Sequence, residues 1–285
     1  MSMTKVNWYP GHMKKTKDLI SENISAVDLI LDVRDARVYI GSANPDLKTL
    51  AGNKNRIVIL NKSDLVDQAE LSRISGKIIA ENPGVKVVAI SAEKGTNIKN
   101  MNALIDEYRM VKVERMMKKG LKKTSFRIMI VGIPNVGKSK LINTLAKRKA
   151  AGVGNKPGFT RGKQWISLAN GIELLDTPGV LWPNFDNIDI GMKLSIILAI
   201  REDILDRADT AKYFLKIAKN MNFLDKIYAT YHIDYVDDDP DYIILEKVAK
   251  AYHMLLKGEV LDVEKASYKL LIDYREMKFG KFPLE

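Results

Sequence analysis

The chain is predicted to form an open, mostly parallel α/β sheet with helices on both faces, followed by an all-helical C-terminal domain. Two observations lead there. Short apolar segments rich in β-branched residues alternate with helix-periodic segments, the pattern of strand and helix units wound into a parallel sheet. From Ile190 onward strand signals stop and helical periodicity alone remains. The boundary is placed between residues 1–195 and residues 196–285.

In chain order the strand candidates are Val27–Leu31, Ile57–Leu60, Val85–Ile90, Ile128–Val131, Trp165–Leu168 and Ile172–Leu175. Between them Leu71–Glu81, Ile98–Met110 and Lys138–Lys149 repeat apolar residues at helical spacing. The C-terminal helices are expected over Ala211–Lys219, Leu245–Leu256 and Val263–Tyr274. Asn220–Asn222, an acidic loop and Gly258 separate them.

Composition narrows the chemistry. The 285 residues are 46% hydrophobic and 28% charged, and no apolar run approaches the roughly 20 residues needed to cross a bilayer. The N-terminal stretch has no apolar core followed by a small-residue cleavage site, so a cytoplasmic protein without a membrane partner is expected. With no cysteine, a disulfide framework, a thiolate zinc site, an iron–sulfur cluster and a cysteine nucleophile are all excluded. Chemistry must come from oxygens, amines, backbone amides or the three histidines.

The net charge of +11 is unevenly placed. Residues 1–199 hold 32 basic and 18 acidic side chains, or +14, whereas residues 200–285 hold 14 and 17, or −3. The densest basic run extends from Arg109 to Arg127 with Met116, Met117 and Leu121 interleaved, and reads either as a solvated linker helix or as a phosphate-contacting surface. The acidic run Asp237, Asp238, Asp239 and Asp241 around Pro240 reads as an interhelical loop with Asp241 near a helix start; it lacks EF-hand spacing.

Gly132-Ile133-Pro134-Asn135-Val136-Gly137-Lys138-Ser139 fits G-x-x-x-x-G-K-[ST] after a strand and before a helix, the context that a phosphate-cradling loop requires. Glycines let the loop curl so that amides face phosphate, and the following helix adds the positive end of its dipole. Lys138 would contact the β- and γ-phosphates, and Ser139 would hold magnesium. Asn61-Lys62-Ser63-Asp64, after the second strand, fits N-K-x-D; the Asp64 carboxylate can accept from the two adjacent donors on guanine's edge, a pair that adenine lacks. Ser91-Ala92-Glu93-Lys94-Gly95, after the third, fits the short loop whose amide caps the guanine carbonyl. Asp176-Thr177-Pro178-Gly179 fits D-x-x-G, with Asp176 reaching magnesium through water and the Gly179 amide sensing the γ-phosphate. In the loop Asn155–Gly162, Thr160 is the candidate second magnesium hydroxyl, with Ser167 and Thr177 as competitors.

An ordinary Ras-like GTPase carries these elements with the phosphate loop first; here N-K-x-D and S-A-x precede it. This order resembles the circularly permuted GTPases. Trp8-Tyr9-Pro10-Gly11-His12-Met13 matches the W-[FY]-P-G-H-M hallmark of the RbgA/YlqF ribosome-assembly branch, and the resemblance spans the whole chain, including Asp35-Ala36-Arg37 and the helical C-terminal domain. It implies a circularly permuted Ras-like P-loop GTPase domain that hydrolyses GTP to GDP with Mg²⁺. It also implies a role in late assembly of the large (50S) ribosomal subunit, with rRNA and ribosomal proteins as partners, GTP-dependent docking and release on hydrolysis. A monomer off the ribosome is expected. The implied nucleotide contacts are Asn61, Lys62, Asp64, Ser91, Ala92, Asn135, Val136, Gly137, Lys138, Ser139, Lys140, Thr160 and Gly179. Two positions depart from the family pattern. Val38-Tyr39 stand where an apolar residue and proline are usual, and Lys140 stands where Ser or Thr commonly follows the phosphate-loop serine.

Ras-like enzymes place a water-orienting glutamine directly after the D-x-x-G glycine. Here that residue is Val180, so another group must orient the water. His12 is the family's candidate, acting with Lys138 and Thr160, and its other reading is an N-terminal docking or RNA-contact residue. Asn135 either shapes the loop or, as in GTPases with G-x-P-N-x-G-K-S, helps hold K⁺ between the phosphates. Two further functions stay open: a nucleotide-gated RNA-binding adaptor with incidental hydrolysis, and a small-molecule kinase, against which Asn61, Asp64, Ser91 and Asp176 argue.

Overall fold

A computed structural model describes residues 18, 20–121, 124–147, 164–176, 188–200, 204–236 and 238–285. These residues fall into two compact units, one of residues up to 186 together with Glu285 and one of residues 187–284.

The first unit is built on a six-stranded sheet of β1 (Leu29–Asp35), β2 (Asn55–Asn61), β3 (Lys86–Ala89), β4 (Phe126–Val131), β5 (Gln164–Ser167) and β6 (Ile172–Asp176), in the order β3-β2-β1-β4-β6-β5. All neighbours are parallel except β5, which runs antiparallel to β6 at one edge. From β1 the chain winds outward through β2 to β3; from β4 it winds the other way through β6. The junction of β1 and β4 is therefore the point where winding reverses, and in such sheets ligands bind beyond the carboxyl ends of the strands there.

The described helices of this unit include α1 (Leu47–Ala51), α2 (Gln68–Glu81), α3 (Ile98–Met117) and α4 (Lys138–Lys147). They cover both faces. Leu71, Ile74 and Ile78 of α2 share a core with Val58 and Leu60, while Ile105 of α3 and Leu145 of α4 surround Ile128 on the opposite face. Covered on both sides, β1, β2 and β4 are buried almost without alternation, as central parallel strands should be.

Two elements of the first unit differ from the sequence reading for physical reasons. β1 runs to Asp35 and not to Leu31, because the first charges that seem to end it pair with one another. Asp32 and Arg34 point to the same face two residues apart, and Arg34 donates to Asp32 Oδ2 from Nη2 at 2.7 Å and from Nε at 3.1 Å. α3 continues to Met117, absorbing the first half of the basic run. Lys112 ties it to the sheet by donating to Asp28 (2.6 Å) and to the Ser125 carbonyl (2.7 Å).

The second unit contains α5 (Ile188–Ile196), α6 (Arg207–Asn220), α7 (Leu224–Tyr231), α8 (Asp241–Ala251) and α9 (Val263–Arg275). Asp206 and Asp262 cap α6 and α9 by accepting from the amides of Asp209 and Lys265, each at 2.9 Å. Aromatic rings fill its core: Phe223 stacks on Phe282 at 4.2 Å between centroids, and Phe214 lies 4.8 Å from Tyr274. Buried Asp273 accepts from Tyr231 (2.9 Å) and pairs with Lys269 and Lys278. In the acidic run, Asp241 opens α8, and Asp239 accepts from Tyr228 (2.8 Å) and Lys247. Internal partners account for that carboxylate, which leaves no calcium-like cluster among the described residues.

Candidate functional site

The described loops singled out by sequence, after β2, β3 and β4, leave one edge of the sheet, where β1 and β6 also end. The phosphate-loop glycines are required there by close approach. A Cβ on Gly132 would sit 2.4 Å from the Val33 carbonyl oxygen, and one on Gly137, whose φ is +94°, would sit 2.3 Å from Asn61 Nδ2. Thus Gly132 lets the loop turn against β1, and Gly137 lets β2's last residue reach it. Asn135 has φ +60°, a left-handed conformation that asparagine tolerates better than most residues.

Asn61, 2% exposed, connects three loops. Its Nδ2 donates to the Val136 carbonyl at 2.7 Å, and its Oδ1 accepts from the Ala92 amide at 3.0 Å. The phosphate loop and the base loops are hence one hydrogen-bonded body, although more than 70 residues lie between Asn61 and Val136. Sequence reasoning assigns Asn61 to the nucleotide; the structure adds a bracing role that no motif spacing states.

Lys138, buried at the first residue of α4, folds back and donates to the Gly132 and Ile133 carbonyls, each at 2.8 Å. Its ammonium stands over the loop, beside a helix start whose first amides have no intrahelical acceptor. A cation beside a helix start suits an anion. Ser139 is exposed in the first turn of α4. Lys140, also placed at the nucleotide by the resemblance, is half exposed and pairs with Glu93 at 2.8 Å, tying α4 to the S-A-E loop.

Asp64 lies on a short 3₁₀ turn, Ser63–Leu65, after β2. Burial pushes its carboxyl up, but hydrogen bonds from Ser91 and Lys94 outweigh this and hold it below the usual aspartate range. It is an ionised acceptor, as the donor edge of guanine requires. Lys94 Nζ stands 3.2 Å away. Fully buried Ser91 accepts from the Lys94 amide at 3.1 Å, shaping the turn that presents the Ala92 region.

A cluster at the end of β1 was not legible as part of this site. Asp35 is completely buried, yet two cations meet on it. Arg37 donates to Oδ1 from Nε (3.0 Å) and its amide (3.1 Å) and to Oδ2 from Nη2 (2.8 Å), and Lys62 Nζ reaches Oδ2 at 2.9 Å. Burial alone would raise its pKa; the two cations reverse that and hold it far below the usual range. The sequence signal was an acid followed two residues later by arginine, but nothing in it points across to Lys62.

Asp176 ends β6, its backbone in register with Ile130 of β4. His12, Thr160, Gly179, Thr177 and Val180 lie outside the described residues.

A mostly parallel sheet with a phosphate loop at its winding reversal, hydrogen-bonded to the asparagine of an N-K-x-D turn that precedes it in the chain, defines a circularly permuted P-loop GTPase. Comparison with known proteins agrees. A family model described as "50S ribosome-binding GTPase" matches residues 127–247, beginning at β4. Ribosome biogenesis GTPase A of Bacillus cereus is 34% identical over 282 residues, covering 98% of this chain and 93% of that protein; that of Priestia megaterium is 35% identical over 283 residues, covering 98% and 96%. Among solved structures, GNP-bound YlqF from T. maritima aligns with TM-score 0.63 at 24% identity, over 95% of this chain and 97% of that one, and so shares the fold. The chain belongs to the ribosome biogenesis GTPase A family.

Proposed function

We propose that this GTPase is a GTP-controlled factor for late assembly of the large ribosomal subunit, docking on rRNA in its GTP state and leaving on hydrolysis. The observation that carries the reading is the near full-length likeness to proteins named ribosome biogenesis GTPase A, joined to a complete set of phosphate and guanine loops. Charge supports the rRNA partner. The +14 region contains the nucleotide site, and Arg115, Lys118 and Lys119 at the exposed end of α3 have no ion-pair partner among the described residues. No described helix is long and apolar enough to cross a membrane. GTP turnover with and without isolated large subunits tests the reading. Acceleration by the particle is expected, whereas GTP-dependent RNA binding without acceleration would favour the adaptor.

For catalysis the hydroxyl of Ser139, with Thr160 and the Asp176 carboxylate through water, would hold Mg²⁺; such hard oxygen donors suit that ion. Magnesium would neutralise charge on the β- and γ-phosphates. Lys138 would add a second cation there, the Gly179 amide would sense the γ-phosphate, and Asn135 would hold K⁺. His12 would orient the attacking water in place of the glutamine absent at Val180. We expect His12→Ala to slow single-turnover hydrolysis by about 100-fold with GTP affinity retained. An unchanged rate would remove His12 from the mechanism, and equal wild-type rates in sodium and potassium would remove the potassium ion.

A further inference from the structure

We propose that the C-terminal end of α3 is a phosphate-binding anchor for RNA, placed at the edge of the sheet opposite the nucleotide loops and therefore indifferent to which nucleotide is bound. The inference rests on the rRNA reading above and adds to it a surface and a mode of control.

Position is the first support. α3 starts at Ile98, shortly after the Ser91–Gly95 loop at the carboxyl ends of the strands, and its 20 residues span about 30 Å. Lys112 shows where the helix arrives. It donates to the Asp28 carboxylate and the Ser125 carbonyl, residues that immediately precede β1 and β4. Arg115, Lys118 and Lys119 follow Lys112 within two turns and so stand at the amino edge of the sheet.

Partnering is the second. Cations further up the helix are used inside the protein: Arg109 pairs with Asp106 at 2.8 Å and Lys112 with Asp28 at 2.6 Å. Arg115, Lys118 and Lys119 are exposed and pair with no described residue. Lys118 and Lys119 lie three and four residues beyond Arg115, which sets their Cβ atoms about 5–6 Å from it on one side of the helix. A single phosphate run can meet all three. Glu114 is the only acid between residues 110 and 121, so the surface stays positive.

Order is the third. Gly120, at φ +77°, closes the last turn, with its amide on the Met117 carbonyl at 2.9 Å and the Leu121 amide on the Met116 carbonyl at 3.1 Å. The cations thus stand on a finished helix end, and less backbone freedom is lost when a partner binds.

The occupant follows from what the helix has left to offer. Its apolar residues Ile98, Met101 and Ile105 are already buried. Of the exposed apolar side chains at this end, Met110 and Met117 share one side and Val111 lies on another, which is too little for a face that enters a lipid surface. A phosphate backbone requires only fixed charge. Since the nucleotide loops leave the opposite edge, loss of the γ-phosphate acts far from these cations. The anchor should therefore strengthen binding by the same factor with GTP and with GDP, and GTP-dependent docking must come from other surfaces.

The test uses the full chain and the triple variant Arg115→Ala, Lys118→Ala, Lys119→Ala. Binding is measured to isolated large ribosomal subunits and to deproteinised RNA from them, with GDP and with a non-hydrolysable GTP analogue, across a salt series. The variant is expected to lose about 100-fold in affinity at roughly 0.1 M salt, equally in both nucleotide states, and its slope of log affinity on log salt should be shallower by about 2–3. Unstimulated kcat should stay within about twofold, and the thermal midpoint within about 3 °C, because these cations touch only the helix dipole. The exchange Arg115→Lys, Lys118→Arg, Lys119→Arg should restore binding. An unchanged affinity and slope, or a loss confined to the GTP state, overturns the proposal. A loss on subunits that is absent on deproteinised RNA also overturns it, in favour of a protein partner. Wild-type chain that binds the RNA at no salt concentration would overturn the rRNA reading itself, a result distinct from a triple variant that binds like wild type.

Discussion

Lys138→Ala is expected to reduce kcat/KM for GTP by about 1000-fold, the upper end of what removing one preorganised charge from a reacting centre costs. The ammonium is buried and sits on the phosphate loop, held by the Gly132 and Ile133 carbonyls, so its charge is directed where phosphate would bind. Few other positions in the described site concentrate a cation this way: Lys62 is committed to Asp35 and Lys140 to Glu93. The substitution removes two hydrogen bonds from the loop as well. The thermal midpoint should therefore be measured beside turnover, and a loss confined to turnover and phosphate-dependent affinity identifies the electrostatic role. A variant within tenfold of wild type would show that the ammonium is not at the reacting phosphates.

Asp64→Asn is expected to change which base binds. Guanine presents two adjacent donors to an ionised carboxylate; the amide offers one acceptor and one donor, and so sets a donor against a donor. Xanthine has a carbonyl at that second position and matches the amide. GDP affinity should fall about 100-fold or more while xanthosine diphosphate gains, because a buried polar mismatch discriminates far more strongly than a missing apolar contact. Stability should change little, since the pair lost with Lys94 involves a side chain 64% exposed to solvent. Competition binding with the two diphosphates reads the outcome. Equal losses for both would mean that Asp64 supports the loop without touching the base.

The α/β class was legible because central parallel strands and their helices differ in apolar period, and that difference is strong in β2, β4 and α2. Boundaries were harder where charges pair with one another inside an element. β1 reads as ended at Asp32 until Arg34 is seen to pair with it on the same face. α5 and α7 escaped for another reason: in α5 apolar residues alternate with Asp189, Gly191, Lys193 and Ser195, and α7 has only eight residues, so neither displays a long amphipathic stripe.

The site loops were legible as motifs, since phosphate and guanine each demand particular residue types at fixed spacing. Their joining was not. Asn61 binding both Val136 and Ala92, and Lys62 binding Asp35, depend on β1, β2 and β4 ending at one edge. Such contacts follow from topology and have no counterpart in local spacing. Lys140 illustrates the converse: a position drawn to the nucleotide by resemblance has its side chain on Glu93.

The most direct measurement is single-turnover GTP hydrolysis by the full chain with and without isolated large ribosomal subunits, repeated across a salt series. A GTPase controlled by the particle should be accelerated at saturating subunits, and its apparent affinity should fall steeply with salt, with a slope of log affinity on log salt near −0.7 to −0.9 per phosphate neutralised. A rate unchanged by subunits at every salt concentration would contradict the account.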